Sequence, residues 1–184
     1  MNKKIFSIII GLSCCFSACS DWVDVKTKGS LVPEETENYR YLMNNTENFR
    51  WTLSYHDVAS DDIDISDPAQ QEAIYETNKF IPVYTWADEI YSQSENDDEM
   101  NKVYQVIYNC NVVIDEVMDS KNGTNEEKLE IRAEALVHRA EAYLTLVNVY
   151  GVPYNAATAS TDQGVPLLTT PRVEGSLPRA SVEK

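Results

Sequence analysis

The chain has 184 residues, enough for one ordinary domain, and 43% of them are hydrophobic and 24% charged, as in a globular protein. The formal net charge of −15 argues against nucleic acid and anionic lipid surfaces as partners, because both would be repelled. Only Cys110 lies outside the cysteine-containing first twenty residues, and the chain has two histidines. We therefore expect no disulfide framework, no metal site and no cofactor.

The first eighteen residues have the pattern of a secretion signal. Two lysines precede an apolar run over residues 5–16, which is shorter than the roughly 20 residues that a membrane-spanning helix needs. The segment ends with Ser17 and Ala18 before Cys19 and resembles a bacterial lipobox. We predict a lipoprotein signal peptide over residues 1–18, acylation of Cys19 and attachment to a membrane through that lipid. The alternative is an ordinary cleaved signal peptide with incidental cysteines.

Short elements are predicted for the next part of the chain. Pro33 and the acids after it open a short helix that ends near Asn45, because proline and acidic residues are favoured in a first turn. Residues 49–58 alternate aromatic or apolar with polar side chains, which predicts a brief extended piece.

Residues 57–67 form an acidic loop. The acids Asp61 and Asp62 and their neighbours suggest calcium, but the glycine and the glutamate that an EF-hand loop needs at its sixth and twelfth positions are missing. A solvated acidic loop is therefore the prediction. Asp67, Pro68 and Gln70 then predict a helix start, with the helix reaching about residue 78. We expect its buried side to contain Ala73, Ile74 and Phe80.

A long helix is predicted over residues 99–120. Its apolar residues follow a 3-4-3-4 spacing: Val103, Ile107, Cys110, Ile114 and Val117. Asn111 lies among them, so we expect a structural amide with partners on a neighbouring helix or loop. A turn over residues 121–123 leads into a second long helix, which predicts an antiparallel helical hairpin.

The second long helix organises the rest of the chain. Thr124 and Glu127 predict a capping box, and Gly151 is expected to end the helix in the left-handed conformation. A 4-3-4-3 spacing predicts one buried face: Leu129, Ala133, Leu136, Ala140, Tyr143, Val147 and Tyr150. Because the second half is apolar nearly all round, we expect this helix to be covered on more than one side.

The last thirty residues change character. Residues 155–175 have no helical period and predict a long loop with a functional or packing role. Residues 179–184 have the pattern of a helix start with Ser181 as the N-cap. We therefore expect the chain to be the front part of a longer protein.

Several stretches together carry a family resemblance. The similar stretches follow one another in the family's order. They are residues 103–114, 133–143 and 146–154, the Gly-Val-Pro-Leu of residues 164–167 and the Arg-Ala-Ser-Val of residues 179–182. With the lipobox, they resemble the SusD/RagB-like outer-membrane nutrient-binding lipoproteins. No single motif is specific, but their order covers most of the chain, and the resemblance is to the N-terminal part of that family.

The resemblance implies an all-α fold of tetratricopeptide-like helical hairpins with long loops, with residues 19–184 as the N-terminal part of a larger helical domain. It implies a lipid-anchored protein at the outer-membrane cell surface, without catalytic activity. Such a protein binds a polysaccharide or oligosaccharide and delivers it to a SusC-like TonB-dependent transporter.

Five residues are candidates for ligand contacts. Trp51 and Tyr55 lie beside the acidic loop and Trp86 lies in an aromatic cluster, and such rings can cover the apolar face of a sugar. Asp61 and Asp62 can accept hydrogen bonds from hydroxyl groups. The alternative is that the tryptophans are core residues and the acids are solvated.

Two other function classes stay open. One is a lipid-anchored helical adaptor that binds another protein and no small ligand. The other is a glycosidase-like enzyme with paired carboxylates such as Asp61 and Glu89. We rank the enzyme last, because carboxylates pair by chance in so acidic a chain, and no nucleophile–base pair or phosphate-binding loop is recognisable. We therefore predict no catalytic residues.

Overall fold

The computed structural model of the chain describes residues 33–51, 53–77, 80–92, 94–171 and 177–184. The predicted signal peptide and Cys19 lie outside these residues. Glu34–Lys184 forms one structural unit. Its helices are α1 (Thr36–Asn44), α2 (Thr46–Phe49), α3 (Tyr55–Val58), α4 (Pro68–Thr77), α5 (Ile81–Tyr84), α6 (Asp98–Glu116) and α7 (Asn125–Tyr150). A 3-10 turn (Val117–Asp119) extends α6, and the strands are β1 (Gln163–Pro166) and β2 (Arg179–Ser181).

The mainly helical architecture confirms the predicted fold class, and the tetratricopeptide-like detail stays a prediction. The core lies between α6 and α7, whose turn brings them together as the predicted hairpin. The turn places Asn122 and Gly123 at positive φ, and a Cβ atom on Gly123 would lie 2.7 Å from the side chain of Thr36. Glycine is therefore required there for both backbone conformation and space.

The predicted apolar face of α6 is confirmed. All five of its residues are buried: Val103, Ile107, Cys110, Ile114 and Val117. One face is apolar and the rest of the helix is largely polar, so only one orientation toward the core removes this surface from water.

The predicted buried face of α7 is wrong in its first half, whereas Tyr143, Val147 and Tyr150 in its second half are half-buried, with both tyrosines against the core. Leu129, Ala133, Leu136 and Ala140 are exposed, whereas the buried residues lie on the opposite side of the helix: Ile131, Ala135, Ala142 and Leu146. Both sides of α7 are apolar, so its periodicity does not distinguish them. Packing against α6 determines which side is buried, because two alanines on the buried side let α6 approach closely. Val137 and Leu144 are also exposed, so this side of α7 is not covered by the core within the described residues.

The predicted start of α7 is confirmed, and the predicted conformation at its end is wrong. The hydroxyl of Thr124 accepts from the amide of Glu127, whose carboxylate accepts from the amide of Thr124 at 2.7 Å, as a capping box requires. Gly151, by contrast, has φ −88° and is extended. A Cβ atom there would lie 2.5 Å from the carbonyl oxygen of Val147, so glycine is needed because the backbone passes close to this oxygen. The chain then runs on extended because the amide of Val152 donates to the carbonyl of Gln163.

Helix α1 packs on the hairpin through polar contacts at its start and buried Tyr39 and Met43 further along. The hydroxyls of Thr36 and Ser120 are 2.7 Å apart, and the hydroxyl of Thr36 donates to the carbonyl of Asn122. The phenol of Tyr39 donates to Glu116 at 3.0 Å. These contacts join α1 to the end of α6 and the turn after it.

The segment between α1 and α6 consists of short helices. The extended piece predicted over residues 49–58 is wrong at its two ends, which α2 and α3 occupy, and the described residues between these helices form neither helix nor strand. The start of α4 is as predicted, since the carboxylate of Asp67 accepts from the amides of Ala69 and Gln70. Its predicted buried side is only half right: Ala73 is exposed, and Ile74 and Phe80 are half-buried.

The C-terminal part contains an antiparallel pair rather than loop and helix alone. Strand β1 pairs with β2, with Gln163 opposite Ser181 and Pro166 opposite Arg179. The predicted helix start at Ser181 is wrong, because its backbone pairs with that of Gln163, which is distant in the chain, and a local capping pattern does not encode such a pairing. Arg179 Nε donates to the carbonyl of Gly164 at 2.6 Å.

Residues 166–171 are held against the hairpin by side chains. The amide nitrogen of Asn111, fully buried, donates to the carbonyls of Leu168 and Thr170, and its oxygen accepts from Arg139 at 2.7 Å. Tyr143 donates to the carbonyl of Leu168 and accepts from its amide. The predicted structural role of Asn111 is therefore confirmed.

Candidate ligand-binding site

Three neighbouring clefts lie where the segment of short helices meets the hairpin, two of them against α7 and one against α6. We name them the central cleft, the Trp86 cleft and the amide cleft. His56 lines both the central and the Trp86 clefts, and Trp51 lines both the central and the amide clefts. Each pair of neighbouring clefts therefore shares one wall residue, and we refer to the three clefts together as the groove.

The floor of the groove comes from one face of α7. His138, Glu141, Thr145 and Asn148 recur at a 3-4-3 spacing, so they lie along one side of the helix. The first three line the central cleft and Asn148 lines the Trp86 cleft. With a rise of about 1.5 Å per residue, this polar stripe is about 15 Å long.

The central cleft has a volume of about 330 Å³, and its walls are aromatic and apolar: Phe49, Trp51 and Leu53. Phe49 stacks on His138 with 4.5 Å between the ring centroids. The ring nitrogens of His56 and His138 lie 3.4 Å from Asp57 and 3.9 Å from Glu141, respectively. Aromatic faces, ring N–H groups and carboxylates therefore face one cavity.

The Trp86 cleft has a volume of about 350 Å³ and is lined mainly by apolar groups around Trp86, Val83 and Val149. The indole of Trp86 is 77% exposed, and its φ is +53°. The amides of Trp86 and Ala87 donate to the carbonyls of Val83 and Pro82, which is the Schellman pattern that ends a helix.

Tryptophan occupies the Schellman position that usually holds glycine. A positive φ is strained for a bulky side chain, and such strain persists where the surrounding structure or a function requires it. Because the ring is exposed, burial of an indole does not explain its presence at this position.

The amide cleft is the largest of the three, at about 870 Å³. Three amide side chains line it, namely Asn48, Asn101 and Gln105, together with charged residues of α2 and α6. Amides both donate and accept hydrogen bonds, so this cleft suits a ligand with many hydroxyl groups.

A carboxylate at the start of α6 holds the wall of the groove in place. Asp97 accepts from the phenols of Tyr55 at 3.0 Å and Tyr150 at 2.7 Å, and from the amide of Met100, which it caps. Tyr55 is buried and meets the ring of Tyr150 edge-on. Burial, then the hydrogen bond to Asp97, raises the pKa of the Tyr150 phenol above its ordinary value. Glu99 accepts from the amide of Ser54 at 2.8 Å, so α3 is tied to α6 twice.

Three of the five predicted ligand residues line the clefts, although no single cleft contains all three. Trp51, Tyr55 and Trp86 line the groove, Tyr55 chiefly as a buried support. Asp61 and Asp62 are exposed in the acidic loop and line none of the three clefts.

Sequence reasoning missed the polar floor. His138 and Glu141 were not among the candidates, although a polar stripe on an otherwise apolar half-helix is a usable signal. His56 was not a candidate, since only its place between two clefts makes it notable.

Two further observations concern function classes. Among the described residues, no group of three or more His, Cys, Asp and Glu side chains is arranged to hold a metal ion. In the same part of the chain, none of the helices has the length and apolar character needed to cross a membrane.

Comparison with known proteins places this structure in a family. Residues 21–184 match the family model SusD-like_3, described as starch-binding associating with outer membrane. The search of curated proteins found no match. The matched region includes both long helices, the groove and the strand pair. The chain therefore belongs to the SusD-like family of starch-binding proteins that associate with the outer membrane.

Proposed function

We propose that this protein is a lipid-anchored receptor on the cell surface that binds a glycan in the groove and delivers it to a SusC-like TonB-dependent transporter. The family's description supplies starch binding and the outer membrane. The lipobox-like Cys19 supplies the anchor, and the groove supplies a binding surface for a long ligand.

The exposed, strained Trp86 beside a polar floor is the observation that carries the proposal. An indole face covers the apolar C–H face of a pyranose, and the side chain of Asn148 in the same cleft can exchange hydrogen bonds with its hydroxyls, as those of Thr145 and Glu141 can with the glycan in the central cleft. Trp51 offers a second aromatic surface further along the same groove.

The other predicted residues receive distinct roles in this proposal. Tyr55 is a positioning residue, because its phenol is bound to Asp97 and its ring is buried. Asp61 and Asp62 are contacts for a glycan that extends beyond the groove, since both are exposed in the loop after α3.

Titration calorimetry of the full chain, purified in detergent, against starch oligosaccharides and a panel of other glycans tests the proposal. We expect Trp86→Ala to weaken binding by about tenfold or more, which corresponds to about 1.4 kcal/mol. Tyr75→Ala is the matched control, because this ring is 75% exposed and lies outside all three clefts. Equal binding by Trp86→Ala and the original chain, or no glycan bound at all, would contradict the proposal.

The anchor and the transporter are tested separately. We expect Cys19→Ser to abolish incorporation of labelled fatty acid, and label that persists in this variant would refute acylation at Cys19. We also expect a TonB-dependent transporter to co-purify with the lipidated protein from outer membranes after cross-linking. Absence of such a transporter would contradict the delivery role while leaving glycan binding intact.

One observation favours a second candidate, a lipid-anchored adaptor that binds another protein. The exposed side of α7 carries an apolar stripe: Leu129, Ala133, Leu136, Val137, Ala140 and Leu144. A contiguous apolar surface of this kind suits a protein contact. A chain that binds no glycan, but co-purifies with a protein and loses it on Leu136→Asp, would favour the adaptor.

A further inference from the structure

The charge of the groove is distributed unevenly along its length. Among the described residues that line the central and Trp86 clefts, Asp57 and Glu141 are the formally charged ones at pH 7, with histidine neutral. No lysine or arginine is among these lining residues. Both carboxylates are well exposed to the cleft, with side-chain exposures of 69% and 64%.

The amide cleft keeps the same sign of charge. Three acids and two bases are among its described lining residues: Glu47, Asp98, Glu99, Arg50 and Lys102. Arg50 lies 3.2 Å from Glu47 and is partly neutralised by it. A ligand that passes through the whole groove therefore meets net negative charge in the central and amide clefts.

We propose that the groove selects uncharged oligosaccharides over those that carry carboxylate or sulfate groups, with Asp57 and Glu141 as the specificity-determining residues. This inference rests on the proposed glycan-binding function. Hydroxyl groups of a neutral sugar donate to both carboxylates, and hydrogen bonds to an ionised acceptor are stronger than neutral ones. An anionic sugar would instead be repelled by like charges.

Repulsion at the groove acts in the same direction as the field of the whole chain. The formal net charge of −15 slows the approach of any anion, and the two local carboxylates act on the bound ligand. Specificity commonly depends on such a repulsive element as well as on attractive contacts.

A matched pair of probes separates charge from shape. Maltoheptaose is compared with maltoheptaose whose C6 hydroxymethyl groups have been oxidised to carboxylates, by titration calorimetry at low salt with the full chain in detergent. If another neutral oligosaccharide binds better in the panel, that sugar and its C6-oxidised form replace the pair. We expect the neutral sugar to bind at least tenfold more tightly, and the difference to shrink at high salt.

The variants assign this preference to the two residues. We expect Asp57→Asn/Glu141→Gln, which keeps shape and acceptor oxygens, to gain about fivefold affinity for the oxidised sugar per substitution. Binding of the neutral sugar should weaken by roughly threefold, because each amide still accepts a hydrogen bond but a weaker one than the carboxylate that it replaces, so the preference for the neutral sugar shrinks. Asp115→Asn/Glu126→Gln is the control: both residues are exposed, line none of the three clefts and change the net charge equally.

The outcomes distinguish this inference from the proposed function. Equal or tighter binding of the oxidised sugar by the original chain overturns the selectivity while glycan binding stands. An equal gain in the control variant, or no gain in the groove variant, overturns the assignment to Asp57 and Glu141. Failure of every glycan to bind overturns both.

Discussion

The hairpin of α6 and α7 and the segment over residues 46–97 use their side chains differently. The hairpin supplies most of the core. In the described part of the segment, the buried hydrophobic residues are Leu53, Tyr55 and Val83. The segment instead presents Trp51, His56 and Trp86 along the groove, where it meets α7. The hairpin therefore contributes most of the stability, and the segment over residues 46–97 contributes most of the candidate ligand contacts.

Polar contacts follow the same division. Asn111 and Tyr143 fix residues 166–171 to the hairpin from inside. Helix α3 is instead attached to the start of α6 at two carboxylates, Asp97 and Glu99. The comparison teaches that a wall of short helices can be positioned by a few charge-assisted hydrogen bonds on a rigid hairpin. It predicts large stability effects in the hairpin and small ones in the segment.

The largest effect is expected inside the hairpin. Leu146→Ala removes a fully buried side chain and should lower the free energy of unfolding by about 2–5 kcal/mol, since it leaves a cavity. Leu144→Ala, two positions earlier and 61% exposed, is the matched control and should change it by less than about 0.5 kcal/mol. Urea unfolding followed by circular dichroism measures both. Equal effects would mean that the two sides of α7 are buried alike.

The next effect concerns the buried amide. Asn111→Ala leaves two carbonyls and the guanidinium of Arg139 without this partner, so we expect a loss of about 2 kcal/mol. Hydrogen exchange of residues 166–171 should accelerate in the same variant. Asn109→Ala, half-buried on the same helix, serves as control. Unchanged exchange in Asn111→Ala would show that the loop is held by other contacts.

A smaller effect should appear in alkaline solution. Burial raises the pKa of the Cys110 thiol from 9.0 to about 11. A thiol whose pKa is higher in the folded state stabilises the fold below the unfolded pKa, and this stability is lost as pH rises. We expect about 1–2 kcal/mol of stability to be lost from this group between pH 8 and pH 10. Cys110→Ala should show a shallower decline in urea titrations at these pH values, and identical slopes would contradict the prediction.

The smallest effect is expected in the segment. Trp86→Gly should be more stable than Trp86→Ala by about 1 kcal/mol, because glycine accepts φ +53° without strain. Both variants lose the ring, so their difference isolates the backbone. Thermal unfolding measures it, and both should bind glycan equally weakly. A more stable alanine variant would show that the positive φ is not maintained.

Much of the core and part of the groove could be predicted from the sequence. The apolar spacing of α6 marks a single face that can be buried, and the capping box of α7 depends only on residues close in the chain. Both predictions are therefore confirmed. Trp51 and Trp86 were predicted as ligand contacts, but the sequence does not place them beside His56 and the polar face of α7. That arrangement depends on contacts between residues far apart in the chain.

The amino-acid sequence by itself determined the two long helices, the turn between them and the inward face of α6, because these follow from periodicity, caps and a glycine at positive φ. Only the tertiary structure decided which side of α7 is buried, since both sides are apolar and the partner helix selects one. It also decided that Ser181 joins a strand and that Gly151 is extended, because in both cases the backbone partner lies in a distant segment.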